Sequence, residues 1–114
     1  LHGGMRGFDI PGAIFVITGD LRLYQNEYER NTLFVDGGIF LMNLLYALDS
    51  LGLVACPLIW GSEPSDDKKL SEILNIKPHE KIVAWISAGY CPGKAFKAAI
   101  SSKRDLNTIL RIIE

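Results

Sequence analysis

An α/β or α+β layer, with one long helix lying on a sheet, is the fold class the sequence predicts, and three observations predict it. GAIFVITG (12–19) and IVAWISAGY (82–90) are runs of β-branched, aromatic and small apolar residues bounded by turn signals, so they read as strands. DGGIFLMNLLYALDSLGL (36–53) is apolar nearly all round, with Asp36, Asn43 and Ser50 seven residues apart on one narrow helical stripe. The chain order is strand, helix, strand, helix, strand, tail.

Each element follows in turn. Gly12 to Gly19 forms a buried strand, and DLRLYQNEYERN after it is a mixed-charge loop leading to a short helix. Asp36 is the expected N-cap of the long helix, which Gly52 stops. Gly37 and Gly38 each cost about 1 kcal/mol in helix propensity. Their missing Cβ permits close approach, either by tight packing or by a flat ligand. Leu53–Leu58 is a short strand limited by Pro57. In GSEPSDDKKLSEILNI, Ser65 caps a helix that carries Asp66 and Asp67 in its first turn and turns Leu70, Ile73 and Leu74 inward. KPHEK is a turn, Ile82–Tyr90 is the central strand, and DLNTILRIIE is either helix or extended arm.

The long apolar segment is not expected to span a membrane. Sixteen residues from Asp36 to Leu51 give a rod of about 24 Å, against about 30 Å of bilayer core. Such a helix needs cover on both sides: one sheet supplies one side, and further sequence or a second subunit supplies the other.

Composition bounds the rest. A chain of 114 residues is one domain at most, or a piece of one, and buries roughly 65% of its extended surface. A net charge of -1 gives no reason to expect nucleic acid as a partner. Basic residues gather only toward the end, at Lys94, Lys97, Lys103, Arg104 and Arg111, against Asp105 and Glu114. Cys56 and Cys91 sit beside prolines in apolar sequence and read as buried free thiols of a reducing, cytoplasmic setting. The opening LHGGMRGF has no signal-peptide pattern, and a start at Leu1 reads as a partial domain occupying 1–114.

Taken in order, GAIFVITGD, DGGIFLMNLLYALDSLGL, ACPLIWGS, LSEILNI, HEKIVAWISAGYCP and the basic SSKRDL resemble the C-terminal half of the nitroreductase family, from about Gly12 to Leu106. The resemblance lies in order and spacing, since none of these stretches alone is a catalytic signature. It implies a mixed β-sheet flanked by helices, with the long helix packed against its twin in a homodimer. It also implies FMN held at the dimer interface, with hydride passing from NAD(P)H through the flavin to a small-molecule acceptor such as a nitroaromatic or quinone. The matching flavin-side loop is Pro57, Leu58, Ile59, Trp60 and Gly61, whose plainer reading is a strand end with a buried tryptophan. Lys103 and Arg104 match the family's phosphate-binding pair, whose plainer reading is solvated surface. Ser102 departs from relatives that carry another lysine there. The family's Arg-Arg-Ser-x-Arg stretch has no counterpart: Arg6 stands alone and Arg22 lies between two leucines. The alternative to an enzyme is thus a nitroreductase-like dimerisation or binding module without flavin.

Other chemistries find no pattern. His2 and His79 lack triad partners, Cys91 has no basic neighbour, GGMRG and DGG lack phosphate-loop spacing, and Asp66–Asp67 is helix-start charge rather than a metal pair.

Overall fold

Three strands form one antiparallel sheet in the computed structural model, which describes residues 10–58, 61, 63–91, 93 and 102–113. They are β1 (Ala13–Asp20), β2 (Leu53–Leu58) and β3 (Glu80–Tyr90), in the order β1-β3-β2. With a long helix packed on them, the class is α+β; a mixed sheet needs a further, parallel strand. β3 is central as predicted, with Trp85, Ile86 and Ala88 buried and Ile86 fully so. β1 corrects the expectation of a buried strand: Ala13, Ile14 and Phe15 are exposed and Ile17 alone is buried, because β1 is an edge strand.

Helix α1 (Thr32–Ser50) begins four residues before Asp36, which is therefore not its N-cap. Asn31 holds that place without a side-chain hydrogen bond. The early start comes from Leu33, which is 3% exposed and pressed against the backbone of Gly19, where a Cβ would stand 2.5 Å from Leu33 Cγ. At 19 residues the helix is about 28 Å long, so its length and composition do admit a membrane span. The sequence argument from length is thus corrected. α1 touches all three strands, and Leu48 joins Ile17, Ile86 and Ala88 in the core, with Leu41, Leu44 and Leu45 packed around them. Gly52, at φ +74°, ends the helix as predicted.

The two helix glycines divide. Ile17 pairs with Ala84 but Thr18 with Ile82, so Val83 is an extra residue in β3. This bulge re-aims the strand locally, and Val83 stands over Gly37, where a Cβ would come within 2.6 Å of Val83 Cγ1. At Gly38 a Cβ would meet nothing within 4 Å.

β2 runs through Pro57 to Leu58, which an edge strand tolerates because proline lacks only an outward N–H. Helix α2 (Pro64–Leu74) starts one residue before the predicted Ser65 cap. Glu63 is its N-cap position and Pro64 its first residue, where the missing N–H costs nothing. Asp66 and Asp67 occupy its first turn as expected. Of its predicted inward face only Leu70 is buried; Ile73 and Leu74 are exposed. The tail forms one turn, α3 (Leu106–Ile109). Both cysteines are free thiols but exposed, correcting the buried reading: Cys56 lies on the edge strand β2 and Cys91 just past the end of β3.

Candidate functional site

Pro57 and Leu58 close β2, opposite Ile86 and Trp85 of the central strand. Pro57 is exposed and Leu58 half-buried. Ser87 Oγ donates to Cys56 O at 3.4 Å, tying this strand end to β3. Gly61 has open space where a side chain would begin, with no atom within 4 Å. Ile59 and Trp60, the other predicted loop residues, lie outside the described residues. Of the predicted loop, then, Pro57, Leu58 and Gly61 are described, with open space at Gly61.

Lys103 and Arg104 are exposed, immediately before α3. Asp105 caps that turn, its carboxylate accepting from Asn107 N at 3.2 Å. Among the described residues neither basic side chain has an ion pair or hydrogen bond, so two positive charges stand uncompensated. Among the same residues no group of His, Cys, Asp and Glu could hold a metal ion.

A second feature was not legible in the sequence. Phe15 of β1 and Pro57 of β2 both pair with Ile86, so β2 ends level with the first half of β1, which runs on past it to Asp20 opposite Glu80. On the β1 side a cleft of about 680 Å³ opens between β1 and the first half of α1. Its floor is apolar, from Phe15, Ile17, Phe40 and Leu44, and Asp20, Tyr24, Asp36 and Glu80 supply its polar groups. Arg22 grips Asp20 with Nε at 3.0 Å and Nη2 at 2.6 Å, while His79 Nε2 lies 3.9 Å from the same carboxylate. The Arg22 hydrogen bonds hold the Asp20 carboxyl down at about 2. This ion pair favours the fold above about pH 4 and is lost as pH falls through about 2. The expectation of a plain surface histidine at His79 thus acquires a neighbour. The sequence hint was slight: an acid and an arginine two residues apart at a strand end.

Tyr24 Oη donates to Asp36 at 3.0 Å across the mouth of the cleft. Burial, then the Asp36 hydrogen bond, raise the Tyr24 hydroxyl above its ordinary value. The hydrogen bond is present below pH 10 and is lost as pH rises through that raised value. In an ultraviolet titration of tyrosinate, Tyr24 should ionise later than an ordinary tyrosine. Tyr24→Phe should remove this late component, and a titration curve that Tyr24→Phe leaves unchanged in shape refutes the assignment.

Against known proteins, the family model described as Nitroreductase family matches residues 5–90. No curated protein matches the chain. Among solved structures, a nitroreductase family protein from Streptococcus pneumoniae TIGR4 superposes with a TM-score of 0.59 at 24% identity, covering 78% of this chain and 42% of its own. A putative NADH oxidase from Clostridium acetobutylicum gives 0.59 at 20% identity, over 86% of this chain and 56% of its own. Nitroreductase CinD from Lactococcus lactis, solved in complex with nicotinic acid, gives 0.61 at 19% identity, over 89% and 55%. The chain thus spans about half the length of these relatives, and at such identities they speak for the fold alone. The family model reaches further: its match runs from before β1 through the long helix and the strand–loop at Pro57–Gly61 to the last residue of β3, and on that extent the chain belongs to the nitroreductase family.

Proposed function

We propose that this chain carries the flavin-side loop and the dimer helix of an FMN-dependent oxidoreductase, one that takes hydride from NAD(P)H and delivers it to a small acceptor of the nitroaromatic or quinone kind. The family match over residues 5–90 carries the reading. The Lactococcus relative, described with nicotinic acid bound, adds a pyridine-carboxylic ligand on the same fold.

The residues at hand fit the cofactor. FMN, when bound, supplies the hydride chemistry itself, and the protein's part is position and electrostatics. Open space at Gly61 would admit a flat ring against the backbone, and the amides of the 57–61 loop other than proline's would be the donors for its edge. Lys103 and Arg104, exposed and uncompensated, would hold the phosphate; the planar Arg104 fork suits two of its oxygens at once. No side chain has to act as acid or base for hydride to pass between well-placed rings.

A second copy of the chain completes the site in this reading. Val35, Ile39, Met42 and Tyr46 follow one another at helical spacing on α1 and are all exposed. An apolar stripe of that length facing solvent marks a surface made to be covered. The twin's α1 is the proposed cover, and flavin lies in the seam.

The purified full-length protein should run as a dimer, show visible flavin absorption and bleach when NADH or NADPH is added without oxygen. Lys103→Ala and Arg104→Ala should each weaken FMN binding about tenfold or more, from the loss of a charge-assisted hydrogen bond. A folded dimer that neither carries flavin nor takes up added FMN overturns the enzyme and leaves the non-catalytic dimerisation module.

A further inference from the structure

The cleft between β1 and α1 is bordered by the connection that joins them, residues 21–31. Two single turns of 3-10 helix, Leu21–Leu23 and Glu27–Glu29, make up its ordered parts. The second turn is closed on itself: Asn26 Oδ1 accepts from Tyr28 N at 3.0 Å, and Glu29 Oε2 accepts from Gln25 N at 2.7 Å and Asn26 N at 3.3 Å. Neither turn contains a buried residue, and Leu23 and Tyr28 are 73% and 89% exposed. The connection therefore keeps its own shape but has little apolar purchase on the body of the protein. Segments with few buried contacts open most readily.

Its two ends differ. At the β1 end, the Arg22–Asp20 ion pair and a hydrogen bond from Leu21 N to His79 O, 2.8 Å long, fasten it to the sheet. At the α1 end, Asn31 makes no side-chain cap, and among the described residues only its carbonyl ties it to the helix, accepting from Phe34 N at 3.1 Å and Val35 N at 3.2 Å. Between them, Tyr24 Oη on Asp36 is, among the described residues, the hydrogen bond that joins residues 21–30 to α1. Leu23 and Tyr24 line the cleft, and Asp36 lines it from the helix side.

We propose that residues 21–31 form a strap over the β1–α1 cleft, hinged at Asp20–Leu21 and at Arg30–Asn31, and that the Tyr24–Asp36 hydrogen bond is its latch. With the latch made, Tyr24 bridges the mouth and the apolar floor of Phe15, Ile17, Phe40 and Leu44 is shielded from one side. With the latch broken, the strap lifts between its two fastened ends and the floor is open. The strap is independent of whether FMN binds at the opposite edge of the sheet.

Amide hydrogen exchange on the full chain tests this directly. Tyr24→Phe removes the donor while keeping the ring, and should speed exchange across residues 21–31 several-fold, about the factor of 2 to 10 that one hydrogen bond commands. Amides of β3 at Trp85–Ala88 should keep their rates. Asp36→Ala should do the same as Tyr24→Phe, whereas Asp36→Asn keeps an acceptor oxygen and should hold the strap closed. Binding of the apolar dye anilinonaphthalene sulfonate should rise in Tyr24→Phe and Asp36→Ala and stay at the parent level in Asp36→Asn. Unchanged exchange in residues 21–31, or an equal acceleration in β3, overturns the latch.

Discussion

Ile86→Ala should destabilise the protein by about 2–5 kcal/mol, a large share of the about 5–15 kcal/mol that holds a domain folded. Ile86 is the one large side chain fully removed from solvent among the described residues, and it sits at the middle of the central strand. It packs with Ile17 of β1, Leu48 of α1 and Ala88 of its own strand, so a single truncation opens a cavity where sheet and helix meet. Leu41, Leu44, Leu45 and Val83 crowd around that cluster, and a close-packed interior has little freedom to collapse into a gap. Ile86→Val removes one methylene and should cost about 0.5–1.5 kcal/mol. Ile14→Ala, on the edge strand with 43% exposure, should cost well under half of the Ile86→Ala figure. Urea midpoints of the three variants check the ranking. If Ile14→Ala proves as damaging as Ile86→Ala, the core does not lie where the helix crosses the sheet.

Gly37→Ala and Gly38→Ala, neighbours in sequence, should move stability in opposite directions. Replacing helical glycine by alanine gains about 1 kcal/mol from propensity alone. At Gly38 nothing among the described residues opposes that gain, so Gly38→Ala should stabilise by about 0.5–1 kcal/mol. At Gly37 the new methyl would lie 2.6 Å and 2.9 Å from the two methyls of Val83 and 3.1 Å from its Cβ. Val83 is short, β-branched and held in a bulged strand, so it cannot swing aside. Overpacking of that kind costs about 1–3 kcal/mol, so against the propensity gain the net effect of Gly37→Ala should be a loss of up to about 2 kcal/mol. Thermal melts of the two variants side by side read the signs. The proposed dimer sharpens the comparison: were the twin helix to cross at Gly38, Gly38→Ala would raise the stability of the monomer while weakening association, and sedimentation would separate the two.

Much of this protein was legible before its structure. Strands β2 and β3 stand where their β-branched and apolar runs place them, Gly52 ends the long helix, and Asp66 and Asp67 open the next one. These features depend on local physics: periodicity, turn chemistry and helix-end electrostatics act over a few residues. The errors share a cause as well. Asp36 reads as a cap because an acid before two glycines satisfies the local rule, yet burial of Leu33 against Gly19 starts the helix four residues earlier. Ile73, Leu74 and the cysteines read as buried because they are apolar, but apolarity decides burial only when something is present to cover the residue.

The candidate flavin-side loop at 57–61 and the basic pair Lys103–Arg104 were found by resemblance in order and spacing, which a linear pattern can carry. The cleft, the Asp20–Arg22–His79 cluster and the Tyr24–Asp36 latch could not be found that way. His79 comes to Asp20, and Asp36 to Tyr24, only because β1 pairs with β3 and α1 folds back over both. By itself the sequence determined the elements, their order and the family, since those follow from short-range preferences repeated along the chain. The tertiary structure decided which glycine lies under Val83, which face of α1 is left bare and which polar groups meet, because each of these depends on contacts between residues far apart in the chain.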